Sequence, residues 1–585
     1  MYFIILTSLI HLLQPMDTLK TPFEKGNGNQ TSTYEECINY YQTLTTYSAL
    51  CKLETHGSSS VGKPIHLFII DADKQFTRES ATLNNKLVLF INNGIHPGES
   101  NEIDATMMYT RDVMFKKEYS KLLERCVIVI IPTYNISGML NRNQTSRVNQ
   151  HGPEAYGFRA NRQNLDLNRD FIKCDSKEAI TFNKIFSAWR PELFIDTHVS
   201  NGADYSYVMT YIATHPDKLP YILADYEQQI LIPDLHSAMK SAGFEMIPYV
   251  NTKEESPKNG IISFLETGRY STGYAALHNC IGFMPETHML KPYADRVSAT
   301  YAFILHTLII GVRDAEKIIS NKRKADQQII NQEQFAVRWK LDETRIQQLP
   351  FKGYEETYDS SEVTNMQQLH YHAEMPYEEN IPFYANYVIE TNKSKPLAYI
   401  IPQCFDRVIE CLIANSIQMD TLNKDITLEL PAVPIQSYNT LNKPAEGHYM
   451  HYDIKTGTPV NLSIPLYKGD VIVQCNQQQN RYLVETLEPE SHDSFFAWNF
   501  FDAFLQRKEY FSDYVFEPLC KEILAIEPGL KQAFEEKKKT DESFANDAHK
   551  QLQFIYENSK YAEKMYKIYP VFRVEDDELL RALLK

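Results

Sequence analysis

The fold is decided by a short stretch, residues 86–102, which reads KLVLFINNGIHPGESNE. Its first half is an unbroken apolar run with the length of a strand, and such runs are typical of strands covered on both faces by helices. His96 and Glu99 follow directly in the next turn. Residues 100–115 then predict a helix that is capped by Ser100 and has acidic residues in its first turn. The stretch therefore predicts a strand–turn–helix unit of an α/β sheet, with two potential metal ligands at the carboxyl end of the strand.

Segments on both sides repeat this alternation of buried strands and helices. Apolar strands are predicted at 126–135 and 193–200, and helices at 176–189 and 293–312. Residues 33–50 predict a further helix, which precedes the first strand. The alternation predicts an α/β fold, with a mixed, largely parallel sheet and helices on both of its faces.

The chain changes character after about residue 321, where a polar stretch ends the first predicted domain. Residues 335–488 contain mostly short strand patterns with Pro and Asn between them, and one helix over 404–416. The remainder is helical and rich in aromatic residues. Because 585 residues exceed one ordinary domain, we predict a first domain over 16–330 and a β-rich, then α-helical C-terminal domain over 331–585.

Residues 1–15, MYFIILTSLIHLLQP, contain an apolar run from Tyr2 to Leu13. The run is too short to span a membrane and has the length of a signal-peptide core, so we expect export to the periplasm or the medium. A docked N-terminal helix and a true start at Met16 are the alternatives.

The overall composition narrows the classes of function. The formal net charge is −16, and no basic stripe with interleaved aromatic residues is present, which argues against a nucleic-acid partner. The nine cysteines are scattered without a Cys-x-x-Cys pair, which argues against a cysteine zinc site or a dense disulfide framework. A bridge between Cys37 and Cys51 is one alternative, and the preferred interpretation of each cysteine is a small buried apolar side chain.

A second apolar strand, LFIDTHVS at 193–200, ends in His198. Together with His96 and Glu99 this residue gives two imidazoles and one carboxylate, all at strand ends. Such a set leaves a fourth position open on a zinc ion, which is the arrangement of catalytic zinc sites. The sequence therefore predicts a zinc-dependent enzyme.

The loop between these strands, residues 156–171, reads YGFRANRQNLDLNRDF. It groups Arg159, Arg162, Asn168 and Arg169 within a short distance along the chain. Guanidinium and amide groups in such a cluster suit bidentate binding of a carboxylate. A solvated, charged surface loop is the alternative interpretation.

Taken in order, six segments of the chain resemble the zinc carboxypeptidases of the carboxypeptidase A type. The resemblance covers roughly residues 34–311, a little under half of the chain, and implies the carboxypeptidase fold and one bound zinc ion. Two segments of the C-terminal half, 480–489 and 493–502, resemble extensions on bacterial members of the family. The six segments are GSSSVGKPIHLFII (57–70), GIHPGE (94–99), PTYNISG (132–138), DLNRDF (166–171), DTHVS (196–200) and GFMPETHML (282–290).

The resemblance implies a role for each matched residue, beginning with the metal. His96, Glu99 and His198 would bind the zinc ion. Asp166 would accept a hydrogen bond from the ring of His96 and so fix its orientation.

The remaining matched residues would act on the substrate. Glu286 would be the general base that takes a proton from the attacking water, and Arg159 would stabilise the oxyanion. Asn168 and Arg169 would bind the C-terminal carboxylate of a peptide. Glu266, which also follows an apolar run, competes with Glu286 for the role of base. Glu286 is preferred because a short loop and a long helix follow it.

A mobile-loop tyrosine is expected over the substrate, and Tyr270 and Tyr274 are equal candidates. The interpretation as a whole is a zinc metallocarboxypeptidase that hydrolyses C-terminal amide bonds of peptides. The alternatives are a hydrolase of small N-acyl amino acids or cell-wall peptides, and a zinc-containing binding module without catalysis. The C-terminal domain is predicted to supply no zinc ligand and no catalytic group.

Overall fold

A computed structural model describes residues 19–585 of the chain. The predicted export signal, Tyr2 to Leu13, lies outside the described residues. Among residues 19–585, none of the helices combines the length and hydropathy that a membrane span requires.

A nine-stranded sheet forms the centre of the first half of the molecule. The strands of this half are β1 (Cys51–His56), β2 (Ile65–Ile70), β3 (Leu87–Asn92), β4 (Cys126–Ile131), β5 (Leu193–Asp196), β6 (His198–Ser200), β7 (Met209–Ala213), β8 (Met246–Pro248), β9 (Ile261–Ile262) and β10 (Ile281–His288). Eight of them follow in the order β1-β2-β4-β3-β5-β10-β7-β8, β6 pairs with β10 beside this path, and β9 lies in another sheet. The pairs β1–β2, β2–β4 and β7–β10 are antiparallel, and the other pairs of this sheet are parallel.

Helices cover this sheet on both faces. Every residue of β3, β4, β5 and β10 is buried, which requires cover from both sides. The predicted α/β fold with a mixed, largely parallel sheet is therefore confirmed. The helices are α1 (Pro22–Lys25), α2 (Tyr34–Tyr47), α3 (Arg78–Leu83), α4 (Asn101–Phe115), α5 (Ile136–Leu140), α6 (Lys177–Trp189), α7 (Tyr221–Tyr226), α8 (Ile232–Ser241), α9 (Ser271–Leu277), α10 (Tyr293–Arg313) and α11 (Ala315–Asn331).

The second half begins with ribbons and small sheets, as predicted. The strands of this half are β11 (Gln334–Leu341), β12 (Gln347–Ser360), β13 (Gln367–Tyr384), β14 (Tyr387–Ser394), β15 (Ala398–Ile401), β16 (Asp420–Thr421), β17 (Ile426–Ala432), β18 (Ile435–Thr440), β19 (His451–Thr456), β20 (Val460–Leu466), β21 (Val471–Gln474) and β22 (Phe572–Val574). Three two-stranded ribbons pair β11 with β14, β17 with β20, and β18 with β19. Two larger sheets have the orders β12-β13-β9 and β16-β21-β15-β22.

Helices dominate the last part of the chain. They are α12 (Asp406–Ala414), α13 (Asn480–Leu487), α14 (Asp513–Ile526), α15 (Pro528–Thr540), α16 (Glu542–Ala545), α17 (Ala548–Glu557) and α18 (Asp577–Leu583). Four of them, α14 to α17, enclose a small separate core that includes Phe516, Phe534 and Phe544. The β-rich and then α-helical order of the C-terminal half is confirmed.

The two halves share one large hydrophobic core. Phe186 of α6 and Leu412 of α12 belong to the same buried cluster, and β9 of the first half pairs with β13 of the second. The division of the chain at residue 330 stays a prediction.

Two local predictions are wrong. Residues 481–487 lie in the region predicted as mostly short strands but form most of α13, because a run of eight residues is too short for pattern alone to separate a strand from a helix. Ser100 precedes α4 but makes no side-chain cap, because its hydroxyl donates to the carbonyl oxygen of Pro97 at 3.1 Å. Cys37 and Cys51 form no bridge, and all nine cysteines are free thiols.

Candidate active site

Two neighbouring strands bring the predicted metal ligands together. β3 and β5 are parallel, and Asn92 at the end of β3 lies beside Asp196 at the end of β5. His96 and Glu99 lie in the turn after β3, and His198 begins β6 directly after β5. The carboxyl ends of adjacent parallel strands thus place all three side chains at one edge of the sheet.

The three side chains face one another at short range. His96 Nδ1 lies 3.4 Å from Glu99 Oε1, and His198 Nδ1 lies 3.3 Å from Glu99 Oε2. One ligand atom from each residue lies within 4.8 Å of the others, and all three residues are buried. Within residues 19–585, this is the one group of three such side chains with the spacing of a metal site.

The outer nitrogens of both imidazoles are held by carboxylates. His96 Nε2 donates to Asp166 Oδ1 at 2.8 Å, and His198 Nε2 donates to Asp196 Oδ2 at 2.9 Å. These bonds direct Nδ1 of each ring at the cluster, where it is available to a metal ion. The position of Asp166 agrees with the sequence expectation. Asp196 was missed, although it stands in the quoted strand two residues before His198.

The donor set fits a zinc ion. His96 Nδ1 is buried and has no hydrogen-bond partner, although burying such an atom unpaired is unfavourable. Burial alone would lower the pKa of His198, but Asp196 and Glu99 raise it well above its ordinary value. Two imidazole nitrogens and a carboxylate at this range are the nitrogen and oxygen ligands that zinc prefers.

Glu286 lies beside the ligands on the neighbouring strand. β10 and β6 pair in a register that puts Glu286 opposite His198. The side chain lines the cleft next to the ligands, and burial raises its pKa to about 8. Glu266 also lines this cleft, but its Oε2 accepts a hydrogen bond from Thr272 Oγ1 at 2.5 Å.

Two arginines approach the ligand carboxylate. Arg159 donates from Nε to Asp166 Oδ2 at 2.9 Å, and its Nη1 lies 3.4 Å from Glu99 Oε1. Arg147 donates from Nη1 to the same Glu99 oxygen at 3.0 Å. Arg147 was missed by the sequence reasoning, because nothing in its polar loop distinguishes it from Arg142.

Asn168 and Arg169 lie in the same cleft as the ligands. Asn168 Oδ1 accepts a hydrogen bond from the Ser271 amide at 3.0 Å. The Arg169 guanidinium lies 4.5 Å from the centre of the Tyr270 ring, in a cation–π contact. Arg162 does not join them, because it lines a separate surface cavity beside Ser137.

The two tyrosine candidates are separated by the structure. Tyr270 lines the cleft. Tyr274 is fully buried, and its hydroxyl donates to Asn415 Oδ1 at 2.7 Å, so this ring is packed in the core. The cleft has a volume of about 460 Å³, and its charged lining residues are His96, Glu99, Arg147, Arg159, Arg169, His198, Glu266 and Glu286.

Comparisons with known proteins agree with this geometry. Residues 37–271 match the zinc carboxypeptidase family model, Peptidase_M14. These residues are similar to zinc carboxypeptidase domains. The match ends before Glu286, whose placement therefore depends on the pairing of β10 with β6.

The similarity to known carboxypeptidases extends beyond residues 37–271. Carboxypeptidase 2 of Trichophyton equinum is 20% identical over 510 residues, which cover 83% of this chain and 87% of the relative. Carboxypeptidase 2 of Trichophyton rubrum is 20% identical over 512 residues, with the same coverage of both chains. The crystal structure of carboxypeptidase A from Helicoverpa armigera is 15% identical, with a TM-score of 0.36, over 53% of this chain and 81% of that chain.

Proposed function

We propose that the carboxypeptidase hydrolyses the C-terminal peptide bond of its substrates with one zinc ion per chain. The observation that carries this proposal is the presence of Asn168 and Arg169 in the cleft of the three ligands and Glu286. An amide and a guanidinium in this cleft are suited to a free carboxylate, and binding of that group beside the ligands would select the last peptide bond.

His96 and His198 would hold the ion through Nδ1, and Glu99 through its carboxylate. When bound, zinc polarises the scissile carbonyl and lowers the pKa of water to about 7. Asp166 and Asp196 keep both imidazoles in the tautomer that this requires. The Val199 amide donates to Glu99 Oε2 at 2.8 Å and fixes the third ligand.

Glu286 handles the proton. Its carboxylate takes a proton from the attacking water and delivers it to the nitrogen of the leaving amine. The hydroxyl of the water remains on the product acid and the proton on the product amine, so the step balances. Its place opposite His198 supports this assignment over Glu266, whose carboxylate is engaged by Thr272.

Arg159 stabilises the negative charge that develops on the carbonyl oxygen. The ion pair with Asp166 fixes its guanidinium, and 44% of the side chain stays exposed to the cleft. A fixed guanidinium is charged at any working pH and needs no reorganisation during the reaction.

Amidation of the substrate tests the proposal. We expect kcat/KM for a peptide amide to be at least about 30-fold lower than for the same peptide with a free C-terminus. This corresponds to the roughly 2 kcal/mol lower bound for leaving a charged partner unpaired. The measurement is mass spectrometry of the products from both peptides under identical conditions. Equal cleavage of the two would instead indicate endopeptidase or other amidase chemistry.

Export of the protein stays part of the proposal. It depends on the apolar run from Tyr2 to Leu13 and on no described residue. Sequencing the N-terminus of the protein recovered outside the cytoplasm tests it, and an intact Met1 there would contradict cleavage of a signal peptide.

A further inference from the structure

A turn of the C-terminal half reaches the carboxypeptidase site. The chain reverses between β18 and β19 at residues 445–448, where the amides of Ala445 and His448 donate to each other's carbonyl oxygens. Glu446 in this turn accepts a hydrogen bond at Oε2 from the amide of Asp166, at 2.7 Å. The two residues are 280 positions apart in the chain.

Asp166 connects several groups of the site. Its carboxylate accepts hydrogen bonds from His96 Nε2 at 2.8 Å, Arg159 Nε at 2.9 Å and the Asn168 amide at 2.9 Å. Any shift in the backbone of Asp166 therefore moves a metal ligand, the oxyanion guanidinium and the carboxylate-binding pair together.

Glu446 occupies a conformation that glutamate rarely adopts. Its φ is 49° and that of Gly447 is 85°, so both central residues of the turn are in the left-handed region. Two-residue turns of this kind favour Asn-Gly, because asparagine tolerates a positive φ. Strain of this sort persists where the surroundings hold the residue and is concentrated at functional sites.

A second contact holds the turn against the first half of the chain, between His448 and Asp175. His448 Nε2 lies 2.7 Å from Asp175 Oδ2, and Arg407 Nη2 donates to Asp175 Oδ1 at 2.8 Å. Asp175 follows the carboxylate-binding loop in the sequence. The position of Glu446 is thus fixed relative to the residues that it contacts.

We propose that Glu446 is a positioning residue of the carboxypeptidase site. Its carboxylate fixes the backbone of Asp166 and, through it, the placement of Arg159, Asn168 and Arg169. This inference rests on the proposed function, because its effect is measured on the binding of a terminal carboxylate.

The test is the substitution Glu446→Asn. Asparagine suits the turn, but its side chain is one methylene shorter and cannot span the 2.7 Å contact to the Asp166 amide. We expect an unchanged or higher Tm, an unchanged zinc content, and about a tenfold loss in kcat/KM on a free-acid peptide, mostly through KM. A purely structural role would lower Tm and leave KM unchanged.

Two matched variants complete the experiment. Glu446→Gln keeps an oxygen at the same reach and should stay within about threefold of the wild type, and Lys443→Ala, at an exposed position of the same loop, should behave as wild type. Wild-type kcat/KM in Glu446→Asn, a loss in Glu446→Gln as large as in Glu446→Asn, or misfolding of Glu446→Asn would each overturn the inference. The ratio of free-acid to amide cleavage in the wild type is measured separately, so failure of the proposed function is recognised independently.

Discussion

The central sheet and the ribbons of the C-terminal half bury their strands differently. Every residue of β3 and β10 is buried, whereas most residues of β12 and β13 are exposed or half-exposed. In β3 and β10 the polar side chains therefore lie at the carboxyl ends of the strands, close to the ligand cluster. The C-terminal half instead reaches the site through a turn, with Glu446 bonded to the backbone of Asp166. The proposed metal ligands thus come from the central sheet, and the C-terminal half contributes a side chain that holds the backbone of Asp166.

The largest effect is expected from removing a ligand at a strand end. His198→Ala should abolish zinc binding and activity, because two remaining ligands rarely hold catalytic zinc. Metal analysis of the purified variant, beside about one zinc per chain in the wild type, provides the measurement. If this variant kept its full zinc content, the role of the strand ends in metal binding would be wrong.

The next effect separates two carboxylates of the same cleft. Glu286→Gln should lower kcat by on the order of 10² or more while zinc stays bound, because the amide cannot accept the proton. Glu266→Gln, the matched control, should keep a kcat close to the wild-type value. Steady-state kinetics on one peptide decides between them, and the reverse order of effects would assign the base to Glu266.

The smallest expected effect is on the pH dependence of folding stability, through a histidine at the contact between the two halves. His278 is buried against Asn415, and burial together with Lys322 lowers its pKa to about 3. The unfolded chain binds this proton below its ordinary pKa of 6.5 and the folded chain does not, so stability falls as pH drops from 6.5 towards 3.

The stability lost through this one group approaches about 1.4 kcal/mol per pH unit. His278→Gln should remove that part of the slope. The measurement is urea unfolding of both proteins between pH 6.5 and 4.5, where the difference in slope isolates His278 from the other titrating groups. Parallel pH profiles of the two proteins would contradict a neutral His278 in the folded state.

Much of the fold and the site could be predicted because both depend on local patterns. Buried strands are unbroken apolar runs, so His96, Glu99 and His198 are conspicuous where those runs end. Glu286 is recognisable in the same way, although choosing it over Glu266 required the resemblance to a family. The register of β10 against β6, which puts Glu286 opposite His198, supports this choice, and the role of Glu286 stays a prediction.

What could not be predicted depends on contacts between distant residues. Arg147 reaches Glu99 from a polar loop that has no pattern of its own, and Glu446 contacts Asp166 although 280 positions of the chain separate them. The helix at residues 480–487 was missed for a different reason. It has only eight residues, a length at which an apolar pattern does not separate a helix from a strand.

The pairing of β15 has a consequence for synthesis of the protein. β15 lies between β21 and β22, and all of its residues are buried. On the ribosome, β15 emerges long before β22, so one edge of this sheet stays open while the rest of the chain is made, and open edges pair readily with other chains. The segment that carries Glu446 belongs to the same late part of the chain. This sheet and the support that Glu446 gives the site are therefore completed only after most of the chain has been made.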